Sequence, residues 1–205
     1  DGKIVVSGYA RISGQYRFAL ARYNSNGVLD NSFGTAGIVT TLINGNDLSY
    51  GLIVRSDGKV VAAGVTTVSA KADLAVVRYT SAGVVDTTFG TNGVTTMDFS
   101  NSNDEMLGGL AEDASGKLIV SGYTGASGGV KPALAKLTEN GLPDSTFGTN
   151  GRLVINDSQY FKDVAVGPDG KLLAVGTSNY YNGGQFLLAR LSANGPLGST
   201  FGSGG

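Results

Sequence analysis

A 33-residue phrase is written four times along this chain. It opens at Asp1-Gly2-Lys3, Asp57-Gly58-Lys59, Ser115-Gly116-Lys117 and Asp169-Gly170-Lys171, and closes 32 positions later at Phe33, Phe89, Phe147 and Phe201. One supersecondary unit of this size cannot bury its apolar face alone, so tandem copies stack around a continuous core, as in solenoids, propellers and arrays. The openings are 56, 58 and 54 residues apart, giving units 1–56, 57–114, 115–168 and 169–205 of a single repeat domain over residues 1–205. The chain starts in mid-phrase and stops four residues beyond Phe201, so it reads as a window on a longer array.

Each period carries about four short runs rich in Val, Ile, Thr and Tyr, separated by Gly, Asn, Asp and Ser. In the second period these are Leu52–Val54, Val60–Ala63, Leu74–Tyr79 and Val94–Met97. No window keeps a helical period. Asp57-Gly58 and Asp169-Gly170 mark one tight turn, and Asn26-Gly27, Asn140-Gly141 and Asn194-Gly195 a second, because Gly accepts the positive φ these turns need. The expected fold is all-β: a β-propeller of four-stranded antiparallel blades, as a ring or as an arc of a larger one. The opening strand of the first blade would precede Asp1, and the last blade lacks its fourth strand. Gly8, Gly64, Gly122 and Gly176 are expected to end the second strand of each blade and to permit a bulge or close backbone packing.

The spacing inside the phrase is fixed, whereas the stretch from the closing Phe to the next opening varies by even numbers of residues. An even change keeps every flanking side chain on its own face, since the strand period is two. In a meander this variable stretch shares an end with the turn between the second and third strands. One rim is therefore constant and the other differs from blade to blade, and differing loops on a fixed scaffold are where binding usually sits.

Composition narrows the chemistry. With no Cys and no His, the chain has no thiolate nucleophile or metal ligand, no disulfide and no imidazole base. A net charge of −1, from 15 basic and 16 acidic residues, provides no global field for nucleic acid. No apolar run reaches the roughly 20 residues that span a bilayer. No phosphate loop, nucleophile elbow or triad pattern occurs, and no cofactor is expected.

The phrase Phe18-Ala19-Leu20-Ala21-Arg22-Tyr23-Asn24, followed by Gly27-Val28-Leu29-Asp30-Asn31-Ser32-Phe33-Gly34, resembles the bacterial delta-60 repeat, as does Asp57-Gly58-Lys59-Val60-Val61-Ala62-Ala63-Gly64. The resemblance covers essentially the whole chain. It implies a tandem β module of secreted or cell-surface bacterial proteins without an assigned activity, acting as a scaffold, adhesion or protein-interaction unit. The chain departs from the pattern at Ser115 for the turn Asp, at Leu137 and Leu191 for the Tyr, and at Gly198 for the Asp of the closing phrase.

Recurrence sorts the candidate residues, because catalytic groups are normally unique and structural ones repeat. Arg22 with Asp30, Arg78 with Asp86 and Lys136 with Asp144, each pair eight residues apart, are expected to lock the connection between third and fourth strands. Arg190 faces Gly198 instead and should lack this partner. Phe33, Phe89, Phe147 and Phe201 are expected as plugs between blades. Among unrepeated residues, Tyr180, Tyr181, Tyr16 and Arg11 lie in the variable rim and are the candidates for ligand contact. Asp98, Asp104 and Glu105 crowd the longest connection with an oxygen-rich set of the kind Ca²⁺ prefers. A lectin-like glycan-binding propeller is one alternative; a polysaccharide hydrolase or lyase using rim carboxylates such as Asp47, Asp104 and Asp157 is another. Open strand edges at both ends would take further repeats or another subunit.

Overall fold

The computed structural model describes residues 1–68, 71–99, 104–126, 129–156, 159–178, 184–202 and 204–205. Among the described residues, fourteen strands form four antiparallel meanders, each of which is a propeller blade. The first sheet is β1 (Ile4–Ile12), β2 (Gln15–Tyr23) and β3 (Ile38–Thr41), and the second is β4 (Leu48–Val54), β5 (Val60–Val68), β6 (Lys71–Tyr79) and β7 (Val94–Met97). The third sheet is β8 (Glu105–Glu112), β9 (Leu118–Ala126), β10 (Gly129–Leu137) and β11 (Arg152–Val154), and the fourth is β12 (Gln159–Val166), β13 (Leu172–Ser178) and β14 (Gln185–Leu191). Among the described residues the first sheet thus has no opening strand and the fourth no closing one. The first two sheets form one compact unit, Asp1–Met97, and the last two another, Asp98–Gly205.

Within each unit two blades pack face to face. In the first, Phe18 and Leu20 of β2, Phe33 and Val39 meet Val60 and Ala62 of β5 and Ala75, Val77 and Tyr79 of β6. In the second, Ile119 of β9, Leu134 of β10 and Phe147 meet Phe161, Val164, Leu172, Ala174, Ala189 and Leu191. The alternation of the strands supplies these faces, because every second residue of a strand points the same way. The Tyr79 hydroxyl also donates to Thr41 Oγ1 across the first core, at 2.8 Å, and burial pushes this phenol up to about 12.

The four recurrent glycines do not end the second strand of each blade. Gly8, Gly64, Gly122 and Gly176 stand inside β1, β5, β9 and β13; the first three strands run on for four residues beyond the glycine and β13 for two. The irregularity is in the neighbouring opening strand, where the register shifts between Ser49 and Gly51, Leu107 and Gly109, and Phe161 and Asp163. The bulge drives a carbonyl into the glycine's side-chain space. A Cβ at Gly64, Gly122 or Gly176 would lie 1.9, 1.9 or 2.0 Å from the carbonyl oxygen of Leu48, Met106 or Tyr160. At Gly8, where no opening strand is present, a Cβ would meet nothing within 4 Å.

Candidate functional site

The recurrent charges form a lock with more parts than the sequence spacing implied. In the first blade Arg22 Nε is 2.7 Å from Asp30 Oδ2, and the guanidinium lies 4.4 Å from the centre of the Phe33 ring. The second blade repeats this with Arg78, Asp86 and Phe89, at 2.9 and 4.9 Å. The aromatic plug and the ion pair are therefore one assembly, a cation held between a ring face and a carboxylate. The lysine of the opening phrase joins it, with Lys3 Nζ 2.9 Å from Asp30 and Lys59 Nζ 3.2 Å from Asp86. The hydroxyls of Ser32 and Thr88 donate to the other oxygen, both at 2.6 Å. Hydrogen bonds from these hydroxyls, and then from the lysines, hold Asp30 and Asp86 far below the usual carboxylate range.

The third blade exchanges partners. Lys136 does not pair with Asp144; its Nζ sits 3.0 Å from Asp113 and donates to the Ala193 carbonyl, while Asp144 is held by Lys117 at 2.8 Å. A lysine carries its charge only at the tip and has no Nε–H to turn back toward the strand end. Asp113, which stands where the second blade has Arg55, supplies the acid that the tip can reach. Burial raises Asp144, but hydrogen bonds from Lys117 and Thr146 outweigh it and bring the group to about 2. In the fourth blade Arg190 stacks 4.6 Å over Phe201 and reaches Thr200, and its buried Nε has no hydrogen-bond acceptor among the described residues, Gly198 offering no carboxylate.

The acids of the variable connections are mostly committed elsewhere. Asp47 is fully buried, accepting from the Ile43 amide at 2.6 Å and the Thr66 hydroxyl at 2.6 Å, and so fastens its own loop. Glu105 takes the matching place in the third blade and accepts from Thr124 at 3.0 Å. Within the second unit, Asp98 and Glu105 bring carboxylate oxygens within 4.8 Å of each other, and Asp104 stands outside that group. Asp157 lies outside the described residues, as do Tyr180 and Tyr181.

Tyr16 and Arg11, by contrast, come together in the first unit. They are cross-strand partners on β1 and β2, with the Arg11 guanidinium 5.7 Å from the Tyr16 ring centre. Two further tyrosines that sequence reasoning passed over complete the group. Tyr9 meets the Tyr16 ring edge-on at 5.6 Å and the Tyr50 ring at 6.5 Å. Tyr9 and Tyr50 are 52% and 48% exposed, so each presents a usable ring surface to solvent. Tyr50 occupies the bulge of β4, a position filled by Gly108 and Lys162 in the next two blades. That divergence at one register position was the available signal; without the bulge, nothing in the sequence tied Tyr50 to Tyr9. The patch offers apolar ring faces, phenolic donors and acceptors, and one cation.

The chain resembles the structure of a candidate glycoside hydrolase from Bacteroides ovatus at 16% identity, covering 95% of this chain and 66% of that one, with a TM-score of 0.45. A glycosyl hydrolase from the same species aligns at 13% identity over 95% and 64% of the two chains, TM-score 0.42. Drosophila Plexin A in complex with Semaphorin 1b aligns at 10% identity over 93% and 53%, TM-score 0.38. The chain thus spans less than two thirds of each of these proteins. No curated protein matches it. A domain of unknown function described as the DUF5122 beta-propeller matches residues 1–33, 55–89, 114–147 and 167–201. These segments hold the fixed spacing and the turn glycines of all four blades and the Arg–Asp pairs of the first two, and the chain belongs to the DUF5122 β-propeller family.

Proposed function

We propose that this chain is a non-enzymatic interaction module, of the delta-60 type, in a secreted or cell-surface bacterial protein, and that it holds a surface glycan or protein through the Tyr9–Tyr16–Tyr50–Arg11 patch. The observation that carries the reading is the convergence of Tyr16 and Arg11 with two half-exposed tyrosines from neighbouring blades. Tyrosine suits such a face because it brings apolar area and a hydrogen-bonding tip at the cost of few rotatable bonds. The disposition of the acids supports a binding role over hydrolysis. Asp30, Asp86 and Asp144 are held ionised in locks, and Asp47 has no accessible surface, so none is placed to trade a proton with a bound sugar. The open edges of β1 and β14 take further repeats or another subunit in this reading.

The test applies the labelled chain to a bacterial polysaccharide array and to intact bacterial cells. Binding to at least one is expected, reduced tenfold or more by Tyr9→Ala with Tyr50→Ala at an unchanged melting temperature. Binding indifferent to the double change, or turnover of any polysaccharide, overturns the proposal.

A further inference from the structure

Seven asparagines of this chain are followed by glycine, and six of these pairs lie among the described residues; Asn182-Gly183 does not. An Asn-Gly pair is reactive because the glycine nitrogen, unshielded by a side chain, can attack the asparagine side-chain carbonyl and close a five-membered imide. The attack requires that nitrogen to be free of strong hydrogen bonds and to lose its proton. At five of the six pairs the fold opposes it. The amides of Gly27, Gly93, Gly141, Gly151 and Gly195 donate to the carbonyls of Asn24, Phe89, Thr138, Phe147 and Ser192 at 2.8 to 3.0 Å, and these bonds close repeated turns. The sixth pair, Asn44-Gly45, lies in the connection between β3 and β4, and the connections that follow β7 and β11 have no such pair. Asn44 is exposed. Among the described residues the Gly45 amide has one acceptor, Asp47 Oδ1 at 3.4 Å, which is long for an N–H···O bond. The Asp47 carboxylate is fixed in this place, accepting from the Ile43 amide and the Thr66 hydroxyl at 2.6 Å each, and it has no accessible surface.

We infer that Asn44 is a site of self-modification, deamidated through an imide with Asp47 as the general base. Asp47 Oδ1 takes the proton of the Gly45 amide as that nitrogen bonds to Asn44 Cγ. The proton passes to the Asn44 side-chain nitrogen, its bond to Cγ breaks, and ammonia leaves. Water then opens the imide at either carbonyl, so one water is consumed, one ammonia is released, and an aspartyl or isoaspartyl linkage remains at position 44. The new carboxylate stands three residues from Asp47, in the loop that Asp47 fastens to Thr66, and the isoaspartyl form adds a methylene to the backbone entering β4. The change is one-way and falls on the variable rim, and it is independent of what the tyrosine patch binds.

The experiment incubates the 205-residue chain in mildly alkaline buffer, folded and in guanidinium chloride, and locates each converted asparagine over time by fragmentation mass spectrometry. In the folded chain Asn44 is expected to convert roughly tenfold or more ahead of the five turn pairs, the scale of a positioned base and of the turn bonds together. In the unfolded chain the six rates should converge. Asp47→Asn is expected to slow conversion at Asn44 by roughly tenfold and to leave the turn pairs unchanged. Equal rates at all six pairs in the folded chain, or a preference for Asn44 that persists after unfolding, would overturn the proposal. An Asp47→Asn rate at Asn44 equal to or above the native one would overturn the role of the carboxylate. The comparison of folded with unfolded chain needs no variant, so it decides the site even if Asp47→Asn does not fold.

Discussion

A carboxylate that receives a lysine, a hydroxyl and a guanidinium at once is ionised by its neighbours as much as by solvent, and Asp30 and Asp86 are two such groups. The pairing of Arg with the acid eight residues on was legible from spacing alone. The lysine was not, since it enters from the start of the phrase and reaches the acid only after two strands have folded back. Nor was the exchange in the third blade, where a change at Lys136 is met by Asp113 more than twenty residues earlier. The fourth blade offers a direct test of what the lock contributes. A Cβ built at Gly198 lies 3.7 Å from Arg190 Nε, and Gly198 does not have the positive φ that would penalise a side chain. Gly198→Asp is expected to complete the lock and stabilise the fold by about 1 kcal/mol, the order of a charge-assisted hydrogen bond net of desolvation. A rise in the urea midpoint that disappears in the Arg190→Ala background checks it.

At the scale of the element, alternation and turn residues were enough to lay out the strands, and the even length differences kept their faces in order. The recurrent glycines pointed to a bulge or close packing but not to its place, because the extra residue is in one strand while the glycine that accommodates it is in the next. The consequence is a contrast between positions that look identical in sequence. Gly64→Ala forces a methyl group against the Leu48 carbonyl and is expected to cost about 3 kcal/mol, through overpacking and a disturbed bulge. Gly8→Ala meets open space and is expected to change stability by less than about 0.5 kcal/mol. Comparison of their chemical denaturation curves decides the matter, and equal costs would show that the glycine serves backbone flexibility instead of the bulge.

For the whole molecule, the locks make stability depend on pH in a defined sense. Asp30, Asp86 and Asp144 all titrate below the ordinary value of 3.8 when folded, so the unfolded chain takes up protons first as the solution is acidified. Their contribution is complete above that value and is lost as pH falls through the folded values, about 2 for Asp144. Unfolding free energy should therefore be flat from pH 7 to about 5 and fall steeply between about pH 4 and 2. Urea titrations along this range should show a shallower fall for Asp144→Asn; a native profile without the acid decline would contradict the assignment. What the sequence determined by itself was what repeats at fixed spacing: the blade, its strands and turns, and the pairing of Arg22 with Asp30 and Arg78 with Asp86, because each is encoded within one period. Only the tertiary structure decided which lysine meets which aspartate, where the bulges fall, and that Tyr9, Tyr16 and Tyr50 share a surface. Those depend on contacts between strands far apart in the chain, and a register shift of one residue, invisible in the pattern, is enough to choose between them.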